Sequence, residues 1–164
     1  CHTYALNFFL PLHGTGTYNV DPYGYRSSMS SATVCNWVLT GQGVTVPGMQ
    51  NYMQQFRELR PYYLEDYYPL TGLQDHTPDT VWLAYQLNRP SDDTGIVMAF
   101  RRKDNQQSEI EVKLRGLKAE ATYDVLNVDS GEKFSLKGEE LMKGLKLKLE
   151  NPYSSLLLKY SIMK

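Results

Sequence analysis

Two kinds of hydrophobic pattern divide the chain. From about Thr80 onward, apolar and polar residues alternate with a period of two, which is typical of strands that bury one face. Seven such segments with turn signals between them predict an antiparallel β-sandwich, and residues 138–142 add a helical turn. The segments are 81–87, 96–100, 110–114, 123–125, 134–136, 145–149 and 156–160. Their larger apolar residues, Leu83 and Met98 among them, are expected to face the core.

The first part of the chain shows a different pattern. Residues 4–12 form a continuous apolar run, which predicts a strand of a parallel sheet that is covered on both faces. A Gly- and Thr-rich loop is expected at 13–17, and a second buried strand at 27–38. Beyond them an apolar face at helical spacing predicts a helix that ends at Pro61. The residues of this face are Met49, Tyr52, Met53, Phe56 and Leu59.

Charge is distributed unevenly along the sequence. Residues 1–56 contain only Asp21 and Arg26 as charged side chains, whereas residues 79–164 contain 27. A water-facing domain surface is roughly a quarter charged or more, so residues 1–56 are expected to pack against other polypeptide. We therefore predict two domains, 1–77 and 78–164. The net charge of −1 and the pI of 6.3 argue against binding to nucleic acid or to an anionic membrane surface.

Several short motifs then follow one another in a recognisable order. They are RPYY at 60–63, DYYPL at 66–70, VWLAY at 81–85, VMAFRR at 97–102, LRGL at 114–117, YDV at 123–125, DSG at 129–131 and GEELMKGL at 138–145. In this order and spacing the chain resembles glycoside hydrolase family 36, the alpha-galactosidases, from about residue 56 to the end. Upstream the resemblance is looser, and the HGTGT segment at 13–17 departs from the usual wording of the family.

The resemblance implies a mainly β chain in which a C-terminal antiparallel Greek-key β-sandwich follows the remnant of a (β/α) eight-fold barrel. The remnant would comprise the last two strands and the last helix of the barrel. In this family two aspartates on earlier strands cleave alpha-galactosides with retention of configuration, so this chain is expected to contain no catalytic residue. We accordingly predict that the chain alone is inactive. No cofactor and no metal ligand are implied.

Three residues are candidates for substrate binding in the parent enzyme, because loops at the mouth of such a barrel contact the substrate. They are His13, Tyr18 and Asp21. Asp21 precedes Pro22, and the pair is also an ordinary turn dipeptide. His13 is either a partner for a sugar hydroxyl or a simple loop residue. For Asp21 and for His13, both the substrate-binding role and the simple turn or loop role stay open.

Other functions compete with this one. A carbohydrate-binding module would need an exposed aromatic platform, for which Trp82 is the candidate, and an oligomerisation module would use the tyrosines at 62–68 as a contact surface. The expected partners are the rest of the barrel, an oligosaccharide bound through the parent enzyme, and a second copy of the chain. The first residues resemble the interior of a longer chain, so any signal peptide would lie upstream and the compartment is left open. Cys1 and Cys35 are either two thiols or a disulfide.

Overall fold

The computed structural model of the chain describes residues 2–10, 12–40, 43–72 and 79–163. Its contacts separate into two units, Cys1–Leu64 and Glu65–Lys164. The predicted boundary at residues 77 and 78 lies outside the described residues, as does Cys1 of the suggested disulfide. None of the described helices is long and apolar enough to span a membrane.

The second unit is built on a six-stranded antiparallel sheet. Its strands are β3 (Asp66–Pro69), β4 (Trp82–Arg89), β5 (Thr94–Arg101), β7 (Thr122–Asn127), β8 (Lys133–Lys137) and β10 (Ser154–Ile162). Across the sheet they lie in the order β3-β4-β5-β10-β7-β8. A second, two-stranded sheet consists of β6 (Glu109–Val112) and β9 (Leu145–Lys148). Helix α4 (Gly138–Lys143) connects β8 to β9. The seven predicted strands are all present.

The core of the second unit lies between the two sheets. Val112 of β6 and Leu147 of β9 join one cluster with Ala84 and Ala99 of the large sheet, and all four are at most 1% exposed. Leu141 of α4 closes this cluster and is fully buried. Two sheets that share one apolar layer give the unit a sandwich-like, sheet-rich architecture.

The predicted inward face of β4 and β5 is wrong by one residue. The register pairs Ala84 with Ala99, and these small residues face the core, whereas Leu83 and Met98 lie on the opposite face. The sequence pattern misled because the opposite face is buried as well, so both residue parities carry apolar side chains. The buried residues of this opposite face are Leu83, Tyr85, Leu87, Ile96, Met98, Phe100 and Leu157.

Strand β3 is an element that the sequence analysis did not predict. It pairs antiparallel with β4, with Tyr67 opposite Leu87, and the ring of Tyr67 lies 5.5 Å from that of Tyr85. Residues 66–69, which we had assigned to the first domain, therefore belong to the sheet of the second unit.

The first unit contains a short strand–helix–strand segment. Strands β1 (Gly14–Thr17) and β2 (Ala32–Cys35) pair in parallel, and helix α2 (Pro22–Ser27) lies between them in the chain. A parallel pair needs such a crossover connection, because a tight hairpin can join only antiparallel strands. Helix α3 (Val46–Leu59) follows and begins one turn before the predicted apolar face, with Thr45 as its N-cap.

Two predictions for the first unit are wrong. The described residues of segment 4–12 do not form a strand: helix α1 (His2–Leu6) extends into this segment, and the amide of Leu10 donates to the carbonyl of Leu6. The strand lies instead in the Gly- and Thr-rich segment that we had expected to be a loop. The prediction of a second strand holds only for its central part, β2.

An aromatic cluster organises the described core of the first unit. The ring of Tyr52 on α3 lies 5.3 Å from Tyr25, 5.4 Å from Trp37 and 6.2 Å from Phe56. The guanidinium of Arg26 is buried beside this cluster, and its Nε donates to Gln55 Oε1 at 2.8 Å. These contacts fix α3 against α2.

Candidate functional site

The first candidate site lies at the carboxyl ends of the parallel strands β1 and β2. Thr17 and Cys35 are paired as the last residues of the two strands, so the chain leaves the sheet at the same edge in both cases. In open and closed parallel sheets this edge is the usual location of ligand sites. The amide of Asn36 donates to the carbonyl of Thr17 at 2.9 Å, which holds the two exits together.

Tyr18 and Asp21 both follow β1 at this edge. Tyr18 is 69% exposed and therefore presents its ring to solvent. Asp21 is the N-cap of α2, and its Oδ1 accepts a hydrogen bond from the amide of Gly24 at 2.8 Å. A capping carboxylate has a structural task that is sufficient to explain it. Its role in substrate binding stays a prediction.

His13 lies at the other end of β1. Its amide donates to Ser31 Oγ at 2.9 Å, and its Nε2 lies 2.6 Å from Asn7 Oδ1. Burial lowers the pKa of His13, because desolvation disfavours the charged imidazolium. The four residues of β1 lie between His13 and Tyr18, and the five steps along extended chain correspond to roughly 16 Å. The structure thus groups Tyr18 with Asp21 and does not bring His13 to them.

Sequence reasoning missed two residues of this edge, Asn36 and Trp37. Asn36 is exposed, and Trp37 is half-buried with its ring against Tyr52. They were assigned to the interior of a strand that the structure ends at Cys35. Thr17 pairs in parallel with Cys35, and this pairing places Asn36 and Trp37 at the same edge as Tyr18. They were missed because a single sequence does not show which strands pair.

A second candidate is a cleft of about 630 Å³ in the second unit. Its walls include Thr80, Trp82, Asn105, Gln107 and Ile110. Trp82 is only 4% exposed, and its Nε1 donates to the carbonyl of Gln107 at 3.0 Å. The side-chain Nδ2 of Asn105 donates to the carbonyl of Thr80, and its Oδ1 accepts a hydrogen bond from the backbone amide of Gln107. Trp82 therefore offers no exposed ring for a sugar.

Buried polar side chains of the large sheet bond one another. The Nε2 of Gln86 donates to the Arg115 carbonyl at 2.8 Å and to the Tyr160 hydroxyl at 2.7 Å, while its Oε1 accepts from the Arg115 amide. The Tyr160 hydroxyl donates in turn to Asn88 Oδ1 at 2.8 Å. These hydrogen bonds hold the connection between β6 and β7 against the large sheet, and we assign them a role in the stability of the fold. Within the described residues no three His, Cys, Asp or Glu side chains are arranged to hold a metal ion.

One family model matches part of the chain. Residues 82–159 match the family model described as "Glycosyl hydrolase family 36 C-terminal domain". A search of curated protein sequences gives no match.

Three solved structures illustrate the structural similarity. The galactosidase domain of the alpha-galactosidase–sucrose kinase AgaSK has a TM-score of 0.62 at 19% identity, over 98% of this chain and 24% of that one. The family 36 alpha-galactosidase AgaB from Geobacillus stearothermophilus gives 0.64 at 16% identity, over 85% and 19%. The alpha-galactosidase from Lactobacillus brevis gives 0.64 at 12% identity, over 92% and 22%. At these identities the likeness shows a shared fold, and the chain spans about a quarter or less of each relative.

Proposed function

We propose that this chain is the non-catalytic C-terminal part of an alpha-galactosidase-like glycoside hydrolase. The premise is that residues 82–159 match the model of the glycosyl hydrolase family 36 C-terminal domain. The family match over the sandwich-like unit is the observation that carries this proposal. In the parent enzyme, two aspartates upstream of residue 1 would hydrolyse alpha-galactosides with retention of configuration.

The first unit would be the remnant of a (β/α) eight-fold barrel, with β1 and β2 as its last two strands and α3 as its last helix. The parallel pairing of β1 with β2 across α2 supports this assignment, because barrel strands are joined by helical crossovers. Exposed apolar side chains support it too: Phe9, Leu12 and Leu39 are 74%, 69% and 73% exposed. Further barrel strands and helices would cover such residues. The second unit would then be the Greek-key sandwich of the family.

Tyr18 and Asp21 would lie at the substrate face of the complete barrel, since both follow the carboxyl end of β1. His13 would lie at the opposite end of that strand, away from the sugar. The expected partners are the rest of the barrel, an oligosaccharide bound by the complete enzyme, and a second copy of the chain.

A hydrolysis assay tests the non-catalytic role. The purified 164-residue chain should release nitrophenol from an aryl alpha-galactoside only at the background rate, because nucleophile and general acid together supply most of the rate enhancement. Release that disappears in Asp21→Asn would show that this chain holds a catalytic carboxylate, which contradicts the proposal.

The coding sequence upstream of residue 1 tests the parent enzyme. It should encode the earlier barrel strands, one of them ending in a Lys-Trp-Asp-like motif, and the extended protein should hydrolyse the same substrate. The Asn variant of the motif aspartate is the matched control and should be inactive. An upstream region without a (β/α) barrel would favour an oligomerisation module instead.

A further inference from the structure

The two faces of strand β2 have different neighbours. The hydroxyl of Thr33 forms a hydrogen bond with that of Tyr52 on helix α3. Cys35 Sγ lies 4.0 Å from the Sδ of Met53 on the same helix. Because successive side chains of a strand point to opposite faces, Val34 faces away from α3. The side chain of Val34 is 53% exposed.

Strand β1 is divided in the same way. The hydroxyl of Thr15 donates to the carbonyl of Ser28, the C-cap of α2, so Thr15 faces that helix. Gly14 and Gly16 are on the other face. A Cβ on Gly14 would lie 3.5 Å from the Cβ of Ala32, so the even-numbered residues of both strands share the face opposite the helices. From β1 this face receives no side chain at all.

Asn36 extends from the end of β2 across the face opposite the helices. A Cβ on Gly16 would lie 2.8 Å from Asn36 Nδ2, so the amide lies where a side chain at position 16 would be. The backbone amide of Asn36 donates to the carbonyl of Thr17 at 2.9 Å, which fixes the start of the side chain. The side chain is exposed and forms no hydrogen bond with another described residue. Asn36 therefore presents both its donor and its acceptor to a ligand.

The location of Asn36 can be compared with the geometry of a closed barrel. The helices of a (β/α) barrel surround its strands, so the face opposite the helices is the interior, and the active site lies at the carboxyl ends of the strands. Asn36 is on this face and directly follows Cys35, the last residue of β2. In the complete enzyme its amide would point into the mouth of the barrel.

The side chains of this segment suit an uncharged hydroxyl group. An amide both donates and accepts hydrogen bonds, as the hydroxyl of a sugar does. Arg26 is the single Lys or Arg of residues 1–56. It is 2% exposed, and its Nε donates to Gln55. A phosphate group would therefore find no exposed Lys or Arg in this segment, whereas a neutral sugar needs none.

We propose that Asn36 is a specificity-determining residue of the parent enzyme, which hydrogen-bonds one hydroxyl of the bound galactose unit, and that Gly16 positions it. Gly16 acts through Asn36, because any side chain at position 16 would displace the amide. The inference rests on the proposed function and adds a contact residue that reads an uncharged hydroxyl.

The extended protein tests this contact with an aryl alpha-galactoside and its 2-, 3-, 4- and 6-deoxy analogues. In the wild type, removal of the contacted hydroxyl should lower kcat/KM about 10- to 100-fold. Asn36→Ala should lower kcat/KM for the parent compound by a similar factor. For the one analogue that lacks the contacted hydroxyl, wild type and variant should differ by less than about threefold, because the contact is already lost.

Two glycine variants test the positioning role. Gly16→Ala keeps Asn36 but displaces its amide, so it should repeat the pattern of Asn36→Ala across the five substrates. Gly14→Ala on the same face is the matched control, since its Cβ makes only an ordinary contact with Ala32, and kcat/KM should change less than about twofold. The comparison of substrates within one variant cancels any difference in the folded fraction.

The possible outcomes separate this inference from the proposed function. An equal loss of kcat/KM in Asn36→Ala for all five substrates would overturn the contact, because no hydroxyl would then depend on the amide. A loss in Gly14→Ala as large as in Gly16→Ala would overturn the positioning role. An extended wild-type protein that hydrolyses none of the galactosides would contradict the proposed function, and this inference with it.

Discussion

The hydroxyl of Tyr160 lies directly over Gly95, so close that a Cβ at position 95 would be 2.1 Å from it. The two residues are opposite each other on β10 and β5. Because Gly95 has no side chain, the ring of Tyr160 can pack directly against its backbone. In this position the hydroxyl of Tyr160 reaches Gln86 and Asn88.

Gly95→Ala should destabilise the second unit by about 3 kcal/mol, because the added methyl group overlaps a buried ring and lies 2.6 Å from the carbonyl of Leu87. Urea unfolding followed by circular dichroism measures the change. Gly72→Ala is the matched control: no atom of the described residues lies within 4 Å of its Cβ position, and the cost should stay below about 0.5 kcal/mol. Equal effects of the two substitutions would contradict the packing described.

Tyr160→Phe should cost about 1–3 kcal/mol although it removes only one oxygen atom. The loss leaves Asn88 Oδ1 without its donor and Gln86 Nε2 without one acceptor in a buried setting. Tyr18→Phe, at a residue that is 69% exposed, should be neutral within about 0.5 kcal/mol. A neutral Tyr160→Phe in chemical denaturation would mean that water satisfies these groups.

Arg101→Lys should cost about 3 kcal/mol, even though the charge is kept. The guanidinium donates to the carbonyls of Asn105, Leu149 and Glu150 at once, and an ammonium group cannot reproduce this planar fork. Arg115→Lys at an exposed side chain is the control and should change the free energy of unfolding by less than about 0.5 kcal/mol. Similar values for both variants would argue against the bracing role of Arg101.

His13 should make the stability of the first unit depend on pH. Burial lowers its pKa in the folded chain, so the unfolded chain binds the proton more readily and stability falls as pH drops below about 6.5. His13→Gln removes this titration and should therefore lose less thermal stability between pH 7.5 and pH 5.5. The melting temperatures of both proteins at the two pH values decide the matter, and equal decreases would contradict the prediction.

Seven of the eight described strands of the second unit could be predicted from sequence because most of them bury one face, and that produces alternation. The orientation of β4 and β5 could not be predicted, because Leu83 and Met98 are as well buried as Ala84 and Ala99. When both faces are covered, alternation no longer identifies the side that faces the core. Strand β3 was missed because four residues ending in Pro69 carry too little pattern.

The first unit was predicted less well, for a different physical reason. The apolar residues at 4–10 suggested a strand, yet local hydrogen bonds form a helical turn there and leave Phe9 exposed. Strand β1 consists of Gly and Thr only, so its pairing with β2 is not signalled by hydrophobicity. His13, Tyr18 and Asp21 were predicted as one group, and their positions relative to the sheet depended on locating β1, which begins after His13 and ends before Tyr18.

The position of β10 has a consequence for the order of folding events. β10 pairs with β5 on one side and with β7 on the other, so no strand pairing connects the β3-β4-β5 group to the β7-β8 hairpin until β10 lies between them. During synthesis the pairing edges of β5 and β7 are therefore expected to stay open until β10, which ends at residue 162, has left the ribosome. Such waiting edges are prone to aggregation. We expect the nascent chain to depend on chaperones over this interval, and the sheet to close in a single late step.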